Sequence, residues 1–120
     1  MDSTRQNKIE RLLQKNISEI FQLESRKYFG NAMATITKVR VSSDLSLAKV
    51  YISIFTPANT DKNTVIENAR LHIKEIKHKL GTKIKNQLRA IPELDFYIDD
   101  SLDYIGNIED LLKIWDLVRV

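Results

Sequence analysis

The stretch Ile73–Pro92, IKEIKHKLGTKIKNQLRAIP, decides how the rest of the chain is read. Ile73, Ile76, Leu80, Ile84 and Leu88 recur at the three- and four-residue spacing of a helix with one buried stripe. Around that stripe stand Lys74, Lys77, Lys79, Lys83, Lys85 and Arg89 against Glu75 alone. Six cations against one acid make a local net of +5, in a chain whose overall net charge is +3. Gly81 near the middle costs about 1 kcal/mol relative to alanine in a helix interior. The expectation is therefore two helices meeting at a bend near Gly81, ended at Ala90-Ile91-Pro92 by the proline's effect on the residue before it. Val65, Ile66 and Ala69 extend the apolar stripe upstream, and Asp61 can cap a helix that starts near Lys62.

Working outward, Leu94–Asp99 alternates Leu94, Phe96 and Ile98 with Asp95, Tyr97 and Asp99, a strand pattern. Asp100–Asn107 follows as a turn, and Ile108, Leu111, Leu112, Trp115 and Val118 mark a last amphipathic helix. On the other side, residues 32–42 and 47–55 are two strands. In the second, Ala48, Val50, Ile52 and Ile54 alternate with Lys49, Tyr51, Ser53 and Phe55. Ser42-Ser43-Asp44 supplies turn chemistry between them, which makes the pair an antiparallel hairpin. Alternation implies a sheet covered on one face, with Lys49 and Tyr51 on the other, where the tyrosine offers a ring for stacking. Residues 24–31 have the composition of a polar loop. An N-terminal helix, capped by Asp2, Ser3 or Thr4, runs from about Arg5 to Leu23 with Ile9, Leu12, Leu13, Ile17, Ile20 and Phe21 on one face. Arg5, Lys8, Arg11 and Lys15 crowd its first half, where cations oppose the helix dipole. A contact surface for a polyanion and plain solubility both account for them.

At 120 residues, 42% hydrophobic and 29% charged, the chain has the size and balance of one globular domain. It has no cysteine, which excludes disulfides and thiolate chemistry. It lacks both a membrane-length apolar run and a signal-peptide core, so a cytoplasmic location is expected. Charge is segregated: residues 93–110 carry seven acids and no Lys or Arg, opposite in sign to the basic stretch. Such a dipole orients a protein on a polyanion as well as attracting it.

Catalytic parts are missing. Asp95 and Asp99 share a strand face while Asp100 begins a turn, and Asp103 lies beyond, so these carboxylates do not converge on one metal. His72 and His78 lie about 240° apart on a helix and cannot chelate together. No phosphate-binding loop or nucleophile–base set is present. Lysines at helical spacing, by contrast, are suited to neutralising phosphates by counterion release. The element order α-β-β-α-α-β with a C-terminal helix makes an α+β fold: a three-stranded sheet with helices on one face, matching the bacterial type (type II) of KH domain. Two other readings stand beside specific RNA recognition: a generic basic RNA-binding module, and a protein-interaction adaptor docking through the helix around Trp115.

The residues also resemble a known family. Val39–Ser53, VRVSSDLSLAKVYIS, is similar to the most characteristic stretch of ribosome-binding factor A. Leu88–Asp103, LRAIPELDFYIDDSLD, resembles the end of that family's basic helix with its following strand and acidic turn, and Arg5–Ile20 resembles its first helix. The resemblance implies a KH-type domain that binds the free small ribosomal subunit and its 16S rRNA, assists maturation of the rRNA 5′ end, matters most in the cold, and is not an enzyme. It implies RNA contacts by Lys74, Lys77, Lys79, Lys83, Lys85 and Arg89 in the basic helical stretch and by Arg5, Lys8 and Lys15 in the first helix. A monomer is expected, with no cofactor, catalytic residue, metal, membrane contact or small-molecule substrate. Glycines occur only at 30, 81 and 106, so the Gly-x-x-Gly loop of ordinary KH domains is absent. The family's Ala-x-Gly kink motif is absent too, and the spacing from Gly81 to Pro92 is about two residues longer than the family's.

Overall fold

The computed structural model describes residues 4–57 and 60–99. The expected turn at 100–107 and the helix around Trp115 lie outside the described residues. The described chain runs α1 (Thr4–Leu23), α2 (Ser25–Phe29), β1 (Met33–Val41), β2 (Leu47–Phe55), α3 (Lys62–Leu71), α4 (Ile73–Ile84) and β3 (Glu93–Ile98). The sheet order is β1-β2-β3. β1 pairs antiparallel with β2 from Met33↔Phe55 to Val41↔Ala48, with a bulge between Ile36 and Lys38. β3 pairs parallel with β2 from Leu47↔Glu93 to Ile52↔Ile98, so α3 and α4 form the crossover.

Alternation along the strands sends Ile36, Val39, Ala48, Val50, Ile52, Leu94 and Phe96 into the core, under the apolar faces of α1, α3 and α4. Leu13, Ile17, Ile76, Leu80 and Ile84 meet them there, each fully buried. The α+β, KH-type arrangement with helices on one face is thus in place, and β2 has the limits its alternation predicts. The turn at 42–46 is tied by Asp44, whose Oδ1 accepts from Ser42 Oγ (2.7 Å), Ser46 Oγ (2.7 Å) and Ser46 N (3.1 Å). The Ser42 hydroxyl, then that of Ser46, holds the Asp44 carboxyl at about 2. Leu45 takes a left-handed φ of 62° in this turn, and its partly buried side chain packs on the core.

Three expectations are corrected. Residues 24–31 are not simply a polar loop: Ser25–Phe29 forms a helical turn that buries Tyr28 and Phe29 and ends at Gly30, φ 62°. Phe21 meets Tyr28, Phe29 and Phe96 edge-on, at 6.3, 4.8 and 5.8 Å between ring centroids, and these contacts hold the turn in place. Second, the bend lies at His72 (φ −101°, ψ 11°), not at Gly81, which sits inside an unbroken α4. Asn68 Nδ2 donates to the carbonyls of Lys27 (3.0 Å) and Tyr28 (2.9 Å), and the His72 ring lies 5.2 Å from the Tyr28 ring. Packing against α2 therefore sets the break, whereas a helical glycine with no bending contact leaves the axis straight. Third, α4 ends at Ile84 rather than near Ala90, with Gln87 N and Leu88 N both donating to the Ile84 carbonyl as the chain turns toward β3.

Side chains meet part of both outer edges of this small sheet. Gln6 donates to Val41 O (3.1 Å), Glu10 accepts from Val41 N (2.9 Å), and Gln14 donates to Ile36 O (3.3 Å), which lines one stripe of α1 along the β1 edge. On the β3 side, Arg70 Nε and Nη2 both donate to Phe96 O, at 3.2 and 2.8 Å. These contacts occupy backbone groups that an open edge presents to other chains. Replacing Glu10 with alanine leaves the Val41 N–H without its acceptor and is expected to lower unfolding free energy by about 1–2 kcal/mol. Urea titration checks this, and Glu10→Gln, which retains an acceptor, should lose less.

Candidate nucleic-acid interface

One turn of helix spans 3.6 residues, and this phase divides the cations of α4 between two flanks. Lys74, Lys77, His78, Gly81 and Lys85 follow one another at steps of three, one, three and four residues, a polar stripe beside the buried one. They line an open groove of about 580 Å³ with Thr82 and with Ile91 from the segment entering β3. Lys74 and Lys85 are exposed. Lys77 reaches across to Glu93 Oε1 at 2.5 Å.

Lys79 and Lys83 occupy the other flank, where each forms an ion pair with an acid of α1 or the α1–α2 junction. Lys83 pairs with Glu19 at 2.9 Å, which lowers the Glu19 carboxyl, with a smaller contribution from Lys15. Lys79 donates to the Tyr28 hydroxyl (3.1 Å) and lies 3.4 Å from both Glu24 and Glu75. Tyr28 first, then these acids, raises the ammonium pKa of Lys79. Tyr28 is fully buried, and its hydroxyl donates to Glu75 Oε2 at 2.6 Å. Burial, then Glu75, raises the phenol pKa. Lys27 holds the other Glu75 oxygen at 2.7 Å.

The remaining predicted residues fall elsewhere. Arg89 lies beyond α4 and meets Arg5 at a recess of about 220 Å³ that Asp44, Leu45 and Pro92 also line. Lys8 and Lys15 are exposed on α1. The nine residues thus form no single face: Lys74, Lys77 and Lys85 come together, Arg5 and Arg89 come together, and Lys79 and Lys83 bind the helices to one another. Sequence reasoning missed His78, Thr82 and Ile91 in the groove, although the stripe from Lys74 to Lys85 was there to be read at helical spacing.

On the sheet face away from α1, α3 and α4 the register sets Lys38, Tyr51 and Tyr97 in one row and Arg40, Lys49 and Asp95 in the next. Tyr51 lies between Lys38, whose Nζ is 4.8 Å from the ring centroid, and Tyr97, stacked at 5.6 Å. The ring offered for stacking on an outside partner is therefore already flanked. Acids in and just after β3 are engaged as well: Asp95 accepts from the Tyr97 hydroxyl (2.5 Å), and Asp99, one residue past the strand, from the Thr37 hydroxyl. Asp100, Asp103, Glu109 and Asp110 of the expected acidic pole lie outside the described residues. Among the described residues, no three His, Cys, Asp or Glu side chains are grouped to hold a metal ion. No helix among them is long and apolar enough to cross a membrane.

A three-stranded mixed sheet with helices on one face and a broken α3–α4 pair as the crossover define a KH-type domain. The sequence profile of ribosome-binding factor A matches residues 5–112. Ribosome-binding factor A of Cytophaga hutchinsonii is 46% identical over 113 residues, covering 94% of this chain and 84% of that protein. The chain belongs to the ribosome-binding factor A family. Its fold is also that of the crystal structure of ribosome-binding factor A from Thermus thermophilus (TM-score 0.64, 22% identity, 78% of this chain and 94% of the other). A homology model of Thermus thermophilus ribosome binding factor A, as fitted into the cryo-EM map of its 30S complex, gives a TM-score of 0.61 at 21% identity, over 78% of this chain and 93% of the other.

The Glu75 cluster has a pH signature. Lys27, then Tyr28, holds the Glu75 carboxyl at about 2 against an ordinary 4.5. A folded-state value below the unfolded one means stability that is present above 4.5 and lost as pH falls toward 2. Glu75→Gln is expected to flatten the acid limb of the stability curve in that window, as read by thermal melts at a series of pH values.

Proposed function

We infer that this protein is an assembly factor of the small ribosomal subunit. It binds free 30S particles through 16S rRNA, assists maturation of the rRNA 5′ end, above all in the cold, and does so as a cytoplasmic, non-enzymatic, monomeric single domain. The observation that carries this reading is the groove along α4 in which Lys74, Lys77 and Lys85 stand together in a family member. Support also comes from the Thermus thermophilus relative, described in a complex with the 30S subunit.

The mechanism is electrostatic. Lysines on the groove and the Arg5–Arg89 recess replace the counterions of RNA phosphates, which gives affinity with little sequence preference. Placement on a rigid helix and its neighbouring turn makes the spacing of those charges the selective element, matched to folded rRNA rather than to a base sequence. Lys79 and Lys83 contribute by fixing α4 against α1 and α2. Glu93 competes with phosphate for Lys77, so binding exchanges one ion pair for another. An adaptor docking through Trp115 would instead hold its partner by apolar contacts, which salt scarcely weakens.

Co-sedimentation with small subunits, large subunits and joined ribosomes across a salt series tests the reading. Pelleting with free small subunits alone, weakening as salt rises, is expected. Equal pelleting with all three overturns the assembly role. Charge reversal at Lys77 and Lys85 together should weaken small-subunit binding at least about tenfold and make the log–log salt slope shallower by roughly one to two. The same double change at Lys79 and Lys83 should instead register mainly as lost thermal stability.

A further inference from the structure

The sheet face turned away from the helices has an apolar end and a cationic end. Met33 and Phe55 are cross-strand partners at the first, and they stay 71% and 75% exposed. Ile54 is buried, so strand alternation sends Phe55, with Met33 opposite it, to the outer side. Toward the other end Arg40 and Lys49 stand directly opposite one another, a like-charge placement that destabilises a sheet. Arg40 has Glu10 at 3.8 Å, whereas Asp95, the other neighbour of Lys49, accepts from the Tyr97 hydroxyl. Lys38, over the Tyr51 ring, adds a third cation to this face.

The end of the described chain leads onto this face. Asp99 N donates to Ile52 O (2.8 Å), which sets Asp99 beside Ser53, two residues from Phe55. Its carboxylate accepts from the Thr37 hydroxyl of β1, on the far side of β2. The chain thus leaves β3 with its last described side chain laid across the middle strand. Ile91 and Glu93, at the lysine groove, lie at the opposite end of β3, about 20 Å back along the strand. Residues 100–120 lie outside the described residues, and their sequence complements the outer face: five acids against two bases, with the apolar stripe of Ile108, Leu111, Leu112, Trp115 and Val118. At helical phase Glu109 and Asp116, seven residues apart, share one flank of that stripe. We propose that this segment folds back over the outer sheet face of its own chain. A helix over 108–118 lays the stripe around Trp115 on Met33, Phe55 and Tyr51, with Glu109 and Asp116 toward Lys38 and Lys49. Such a helix is about 16 Å long, against about 20 Å along β2 from Phe55 to Lys49. The two faces of the domain then divide their work: the α4 groove stays open to phosphates, and the chain's own carboxylates occupy the sheet cations.

Trp115 is the chain's one tryptophan, so its fluorescence in the full chain reports on this segment directly. Emission at shorter wavelength than in urea, with weaker quenching by acrylamide, is expected at every protein concentration tried. NMR should show contacts between the Trp115 indole and the Met33 methyl. Phe55→Ser removes the apolar anchor from an exposed position and should lower the docked-to-undocked ratio at least about tenfold. Lys38→Glu with Lys49→Glu should lower it about threefold, and by less at high salt. Leu23→Ser, also exposed but at the end of α1, is the control and should change nothing. A Trp115 as accessible as in urea, without Met33 contacts, overturns the proposal. So does protection that appears only as protein concentration rises, which marks docking between copies, or only when small subunits are added, which marks a partner's surface. Protection kept in Phe55→Ser but lost on charge reversal at Lys74 and Lys85 puts the segment in the α4 groove and overturns the proposal as well. Small-subunit binding is measured separately, so neither result decides the other.

Discussion

The hydroxyl of Tyr28 is the constraint on which the helical layer depends. Its ring belongs to the aromatic cluster around Phe21 and is removed from water, so the phenol must find its partner inside the protein. That partner is Glu75, which brings Lys27 and Lys79 with it and so fixes the short α2 against the first turn of α4. The same packing places the Tyr28 ring against His72, where the α3–α4 pair breaks. One buried oxygen thus links the aromatic core, the helix bend and the destination of one of the lysines. The lysine-walled groove is a separate face because helical phase sets Lys79 and Lys83 on the other flank of α4, where Tyr28, Glu75 and Glu19 meet them.

A three-stranded sheet has two edges for one interior strand, and among the described residues helix side chains meet backbone groups on both edges. Gln6, Glu10 and Gln14 do this for β1, and Arg70 does it for β3. Arg70 in particular joins a cation to a strand carbonyl and leaves it little reach for an outside phosphate. Polar residues that composition would assign to solvent or to RNA are here part of the frame.

Much of the fold was legible in the chain. The alternation of Ala48, Val50, Ile52 and Ile54 with Lys49, Tyr51, Ser53 and Phe55 fixes β2 because burial of one sheet face acts on each residue locally. Asp61 caps α3 as expected, accepting from Asn63 N at 3.0 Å. What was hidden depends on residues far apart in sequence. Five residues of α2 are too few to show a period, and the adjacent aromatics Tyr28 and Phe29 were its only trace. The bend at His72 has no glycine because its cause is packing from α2. The site was legible in composition but not in partition. Counting charges treats Lys79 like Lys77, whereas Lys79 meets the buried Tyr28 hydroxyl and Glu24, far upstream, and Lys77 meets Glu93 beside its own groove.

The parallel pairing of β3 has a consequence for how the chain acquires its structure. β1 and β2 are neighbours in sequence and close as a hairpin, but the other edge of β2 waits for a strand that follows residues 56–92. The loop-closure entropy of that long crossover is overcome only when α3 and α4 pack and β3 docks together. During synthesis the middle strand of the finished sheet is therefore, for a time, an outer strand with unpaired backbone groups and an uncovered apolar face. Release of a chain ending before Glu93 exposes that edge permanently, and such an edge recruits other chains. Among the described residues, β3 is thus the step that separates a closed sheet from an aggregation-prone fragment.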